Sequence, residues 1–230
     1  GALQGLHVGR AESRMTTPTN AEEVLVDGAT RLGVALDERQ RRQLLEHLAL
    51  IERWNRVYNL TALRDPAQML SQHLLDSLAL VPPLRRHTGG AAAALLDVGS
   101  GAGLPGVVLA VACPELAVTS VDTVAKKAGF LQQVGVELGL RGFAALHARV
   151  ETLRPRPWDL IVSRAFASLL DFVDLTRPLL APQGCWIAMK GKRPDDEIAA
   201  LPADIEVFHV EPLTVPSLAA ERCLVWMRPR

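Results

Sequence analysis

The sequence predicts an α/β fold in which a helical cap precedes an open, doubly wound, mostly parallel sheet. Three observations predict it. From Leu95 onward short apolar runs alternate with helical patterns, the βαβα order of a parallel sheet. Before residue 90 each periodic stretch has helical spacing. Near the end, Glu206–Val210 and Cys223–Met227 lie too close for a helical crossover, which predicts an antiparallel hairpin closing the sheet.

In chain order, residues 1–20 are polar and without period, a disordered or non-native lead-in in which Met15 is a candidate native start. Val24, Leu25, Ala29 and Leu32 predict a helix ending near Gly33. Asp37 and Gln40 make a capping box for the next helix. It carries Leu44, Leu48, Ile51 and Trp54 on one side and Arg39, Arg42, Arg53 and Arg56 largely elsewhere, a solvated face. Asp65-Pro66 caps a third helix, with Met69, Leu70, Leu74, Leu78 and Val81 inward and a stop at Pro82-Pro83. His73, Asp76 and Ser77 lie within one turn of it. Ser77 lacks the strained elbow of a hydrolase nucleophile, so the group reads as a cluster bracing this helix against the sheet. Arg85–Gly90 reads as a linker, dividing a cap at 21–88 from a cofactor domain at 89–230.

In the second part the expected elements are strand Leu95–Val98, helix Leu104–Ala112, strand Ala117–Val121, helix Val124–Leu138 and strand Phe143–Ala148. After a turn at Arg154–Pro157 come strand Leu160–Val162, a helix from Ser168 to Leu180 and strand Cys185–Lys190.

The first of these strands breaks into Gly99, Gly101 and Gly103. Alternating glycines accept positive φ and let a ligand lie against the backbone, and the next helix offers free N–H groups, with Pro105 in its first turn. Gly101-Ala102-Gly103-Leu104-Pro105-Gly106 is formally G-x-G-x-x-G, which fits a dinucleotide. The register from Asp97 instead gives D-x-G-x-G-x-G, which resembles the first motif of class I S-adenosylmethionine (SAM) methyltransferases. In that family the acid lies near the cofactor's amino-acid moiety.

Composition narrows the rest. At 230 residues the chain buries a full core, and 25 Lys plus Arg balance 25 Asp plus Glu. No global basic field is present, so any nucleic-acid contact must be local. Cys113, Cys185 and Cys223 are widely spaced, which argues against a disulfide framework or a zinc site and for the cytoplasm. No apolar run approaches the roughly 20 residues of a membrane span.

Asp122 ends the second strand, near the distance at which an acid bonds ribose hydroxyls; a helix-capping role is the alternative. Val150-Glu151 follow the third strand, where they can meet an adenine edge, with Glu151 as a helix-start acid the competing reading. After the fourth strand, Arg164 faces the reactive end of the cofactor, and Phe166 serves as core or as a base-stacking ring. Lys126, Lys127, Lys190, Lys192 and Arg193 form a basic lip suited to RNA phosphates, or are solvated surface charges.

Taken together, Asn59-Leu60-Thr61-Ala62, His73-Leu74-Leu75-Asp76-Ser77-Leu78, Asp97 to Gly106, Arg149-Val150-Glu151, Ser163 to Ser168 and Lys190-Gly191 resemble the bacterial 16S ribosomal RNA N7-guanine methyltransferase family, the glucose-inhibited division protein B type. The likeness runs from about Ala21 to the C-terminus. It implies a Rossmann-like, seven-stranded, mostly parallel sheet with an N-terminal cap, and methyl transfer from SAM to a guanine of the small ribosomal subunit. It also implies cofactor contacts at Gly99, Leu104, Val150, Glu151 and Arg164, with Asp97, Gly101, Gly103 and Asp122 completing the site. Arg164 then acts by positioning, without a general base or a metal; the chain is expected to work as a monomer, which the resemblance does not itself imply. Ser100-Gly101-Ala102-Gly103 stands where members often have Thr-Gly-Pro-Gly, and Lys126-Lys127 where many have Lys-Arg. The other readings are an NAD(P)-dependent oxidoreductase on the same sheet and a non-catalytic RNA-binding assembly factor.

Overall fold

A computed structural model describes residues 20–154, 157–164 and 166–230. The lead-in with Met15, the middle of the Arg154–Pro157 turn and Ala165 lie outside the described residues.

Among the described residues seven strands form one sheet: β1 (Ala93–Val98), β2 (Leu116–Asp122), β3 (Phe143–His147), β4 (Trp158–Ser163), β5 (Leu180–Lys190), β6 (Ile205–Leu213) and β7 (Arg222–Pro229). Their spatial order is β3-β2-β1-β4-β5-β7-β6. β1 to β5 run parallel, while β7 runs antiparallel to both β5 and β6. The doubly wound sheet and its closing hairpin are as expected. The strand order reverses between β1 and β4, and such a switch point opens a crevice beyond the strands' carboxyl ends.

Period-two alternation splits the core between the two faces. Leu95, Leu160 and Val162 join one apolar cluster, and Leu96 and Ile161 the other. The larger cluster lies under the N-terminal helices together with α6 (Gly106–Ala112) and α7 (Ala125–Glu137). The smaller one lies under α8 (Leu169–Thr176). Phe130 and Phe172 are fully buried on opposite faces, each stabilising the fold by roughly 1.5–3 kcal/mol.

The N-terminal helices obey their capping signals. α1 (Ala21–Leu32) starts at Asn20, whose side chain accepts from the Glu23 amide, and ends at Gly33 with φ 76°. α2 (Glu38–Asn55) carries the expected capping box of Asp37 and Gln40. Asp65 caps α3 (Pro66–Met69). The next segment departs from a simple helix: Leu70–Leu75 is π-helical, and α-helical geometry resumes in α4 (Asp76–Leu78).

Several boundaries differ from the sequence expectation. Pro82-Pro83 do not stop a helix. They sit in the first turn of α5 (Val81–Thr88), where a missing N–H costs nothing, so Arg85 to Thr88 are helix and not linker. Arg85 is fastened there to the Ala112 carbonyl at 3.0 Å and to Glu115 at 2.9 Å. The Ser168-capped helix ends at Thr176, a single 3₁₀ turn spans Arg177–Leu179, and β5 begins at Leu180 rather than Cys185. A short α9 (Asp195–Ala199) buries no residue and so left no periodic signal.

Candidate active site

The loop after β1 is held mainly by main-chain hydrogen bonds. Gly99, Gly101 and Gly103 adopt φ of 72°, 57° and 87°, a region closed to most side chains. The Gly99 amide donates to the Val121 carbonyl at 2.9 Å, and the Gly101 amide to Asp122 Oδ2 at 2.9 Å. The other Asp122 oxygen accepts from the Val124 amide at 2.9 Å. Asp122 thus ties the glycine loop to the turn before α7 with one carboxylate, while α7 itself, with Val124 at its N-cap, has no side-chain cap.

Asp97 lies beneath the loop, 1% exposed. Its Oδ2 accepts from the Ser100 hydroxyl and, at 2.8 Å, from the Gly106 amide. The sequence pattern puts Pro105 inside the helix and leaves the first amides free. The helix instead begins at Gly106, and Asp97 takes that amide. Burial pushes the Asp97 carboxyl up to about 6, against the opposing pull of these hydrogen bonds and of Arg164. Its Oδ1 is buried with no hydrogen-bond partner among the described residues.

Beyond the carboxyl ends of the strands lies a cleft of about 180 Å³. Gly99, Asp122, Val150 and Glu151 all line it, with apolar walls from Val98, Val121, Phe166 and Leu175. Phe166 stacks on Phe172, ring centres 5.3 Å apart, so one ring serves both wall and core. An adenosine needs apolar surface for its base and acceptors for its ribose hydroxyls, and this lining offers both. At two positions there is also no room for a larger residue: a Cβ on Gly103 would meet Val107 Cγ2 at 2.5 Å, and one on Gly106 would meet Asp97 Oδ2 at 2.6 Å. The residues present fit S-adenosylmethionine.

Arg164 is not among the residues that line this cleft; it faces Asp76 on α4. Its Nη1 stands 3.8 Å from Asp76 Oδ2, while Arg222 Nε donates to Asp76 Oδ1 at 3.1 Å. Asp76 is 2% exposed; burial pushes its carboxyl above the ordinary value, and the two guanidinium groups pull it down. The expected cluster of His73, Asp76 and Ser77 is not internally bonded. His73 Nε2 shares a hydrogen bond with Thr61 Oγ1 at 3.0 Å, and Asp76 turns to the arginines. Burial, with Arg164 nearby, holds His73 down to about 4.

Residues 40–225 match the GidB family, described as rRNA small subunit methyltransferase G. The chain belongs to this family. It is 68% identical over 203 residues to the ribosomal RNA small subunit methyltransferase G of Methylibium petroleiphilum, a match covering 88% of this chain and 92% of that relative. Against the protein of the same name from Acidovorax ebreus, identity is 61% over 219 residues, covering 92% and 96%. Among solved structures, a SAM dependent methyltransferase from Aquifex aeolicus superposes with a TM-score of 0.52 at 17% identity over 74% of this chain and 96% of that one. That likeness establishes the class I methyltransferase fold.

Within this family frame the basic residues divide. Lys190 Nζ is turned inward onto Glu197 at 2.9 Å, contrary to its expected place on an outward lip. Arg193 pairs with Asp195 at the surface, and Lys192 is exposed. Lys126 lies over the Tyr58 ring, 5.1 Å from its centre, tying α7 to the loop after α2; Lys127 is half-buried beside it. Leu104 is buried at the end of the glycine loop.

Two residues of the site escape a reading of the sequence. His47 is fully buried on the core side of α2, and its Nε2 lies 2.7 Å from the Ala102 carbonyl, so the cap grips the glycine loop directly. A histidine at helical spacing among Leu44, Leu48 and Ile51 was the available signal. Arg222 carried none, because its partner lies 146 positions away.

Proposed function

We propose that the chain transfers the methyl group of S-adenosylmethionine to N7 of a guanine in the 16S ribosomal RNA of the small subunit. The observation that carries this reading is the convergence of Gly99, Asp122, Val150 and Glu151 on one cleft at the switch point of the sheet, in a member of this family. When bound, the cofactor supplies an electrophilic methyl group on a sulfonium. In this reading Asp122 accepts from ribose hydroxyls, Val150 and Glu151 meet the adenine edge, and Asp97 offers its Oδ1 to the amino-acid end. Gly99, Gly101, Gly103 and Leu104 leave the backbone bare along the cofactor.

Guanine N7 has a lone pair and no proton, so the protein need only align the acceptor and exclude water. The chemistry suits the histidines: His47 and His73 are buried and held neutral, each down to about 4. Arg164 holds the acceptor by position, and Lys126, Lys127, Lys192 and Arg193 meet phosphates, with Lys190 acting as an internal strut. Residues 21–88 serve as the cap and residues 89–230 as the cofactor domain. No described helix is long and apolar enough to cross a membrane. We place the protein in the cytoplasm as a monomer acting on ribosomal RNA or the small subunit.

The test is methyl transfer from labelled SAM to small-subunit RNA taken from cells lacking this protein, followed by nucleoside analysis. The expected product is 7-methylguanosine. Absence of label in both naked RNA and intact subunits overturns the reading in favour of RNA binding alone. Thermal stabilisation by NADH but not by S-adenosylhomocysteine overturns it in favour of an oxidoreductase.

A further inference from the structure

The buried carboxylate of Asp76 joins three parts of the chain that are distant in sequence. It stands on α4, directly after the π-helical segment Leu70–Leu75, and faces Arg164 from the loop after β4 and Arg222 at the start of β7. π-Helical segments recur at functional sites, because the wide turn changes the direction in which the following side chains point. A carboxylate 2% exposed is costly unless cations meet it, and these two do so unequally. The Arg222 contact, at 3.1 Å, is a hydrogen bond. The Arg164 contact, at 3.8 Å, is an ion pair and not a hydrogen bond, and among the described residues the N–H groups of that guanidinium have no hydrogen-bond acceptor.

Among the described residues, Asp76 is the one carboxylate that pairs with Arg164. His73, the nearest titratable group on the same helix, is bonded to Thr61 and adds no competing charge. The charge of Arg164 also lowers the pKa of Asp97 under the glycine loop, against the larger effect of burial. An arginine has many rotamers open to it, and a fixed anion on one side selects among them.

We propose that Asp76 is a positioning residue: anchored on Arg222, it fixes the Arg164 guanidinium with its remaining donors aimed at the RNA substrate. This rests on the reading of Arg164 as a substrate contact.

The experiment is steady-state methyl transfer to small-subunit RNA by the full chain, with binding of S-adenosylhomocysteine measured alongside. Asp76→Asn is expected to lower kcat on the order of tenfold to a hundredfold, with S-adenosylhomocysteine affinity unchanged. In an Arg164→Ala background the same substitution is expected to cost nothing further. Arg222→Gln, which breaks the shorter contact, is expected to lower the melting temperature more than it lowers kcat. If Asp76→Asn does not fold, Asp76→Glu keeps the charge but moves it by one methylene, and a severalfold loss of kcat is expected. Wild-type turnover in either folded variant overturns the proposal, as do losses that multiply with Arg164→Ala. Equal loss of turnover in Arg222→Gln and Asp76→Asn overturns it in favour of a structural tie. Wild-type activity of Arg164→Ala would instead remove Arg164 from the site, and a wild-type protein without methyl transfer would remove the reaction itself.

Discussion

The glycine loop and the π-helical turn among the N-terminal helices are held by opposite means. The loop is fixed mainly by main-chain amides donating to Asp97, Asp122 and the Val121 carbonyl within about 25 residues of chain. The π turn and the start of α4 carry side chains, His73 and Asp76, whose partners come from Thr61, Arg164 and Arg222, the last from the far end of the sequence. A segment shaped by its own backbone tolerates few substitutions but is specified locally. One shaped by distant side chains can be retuned by single changes and exists only once the fold has closed.

The largest effect should therefore come from the loop. Gly103→Ala places a Cβ at φ 87° and 2.5 Å from Val107 Cγ2. Left-handed strain and overpacking together are expected to cost about 2–5 kcal/mol. Urea denaturation should move to a lower midpoint, and stabilisation by S-adenosylhomocysteine should be lost. An unchanged midpoint would mean that the loop is not held by its backbone.

Next in size is the grip of the cap on that loop. His47→Phe keeps a ring beside Phe130, 6.4 Å away centre to centre, but removes the partner of the Ala102 carbonyl. The cost is expected to be about 1–3 kcal/mol at neutral pH. The loss should depend on pH in a defined direction. His47 titrates at about 4 in the fold, lowered chiefly by burial from 6.5. The unfolded chain therefore binds the proton more readily, so the stability this group contributes is complete above 6.5 and is lost as pH falls to about 4. Asp97, raised from 3.8 to about 6, acts in the opposite sense, so total stability is not diagnostic. The difference between wild type and His47→Phe is, and it should narrow as pH falls from 6.5 towards 4. A difference constant over that window would mean that His47 is not a neutral buried donor.

The same contrast decides which features are legible in the sequence. The strand–glycine–helix pattern, the capping box before α2 and the closing hairpin are local statements of backbone need, and the sheet results from their order. The proline pair before α5 misleads because proline marks both the end of one helix and the first turn of the next. The site divides in the same way. Gly99, Asp122, Val150 and Glu151 are legible because each follows a strand end and the topology brings strand ends together. His47 and Arg222 are not, because their roles exist only in contacts across 55 and 146 positions.

The smallest expected effect separates two neighbouring lysines. Lys190 and Lys192 leave β5 two residues apart, but Lys190 Nζ binds Glu197 Oε1, which also accepts from the Leu169 amide at 3.1 Å, while Lys192 is exposed. Lys192→Ala should leave the unfolding midpoint unchanged and weaken RNA binding modestly, reducing the slope of log affinity against log salt by about 0.7–0.9. Lys190→Ala should do the reverse, lowering the midpoint while leaving the salt slope alone, since a charge already paired inside the protein releases no counterion from RNA. If the two variants lose salt dependence equally, Lys190 leaves Glu197 when RNA binds, and the strut belongs to the rim after all.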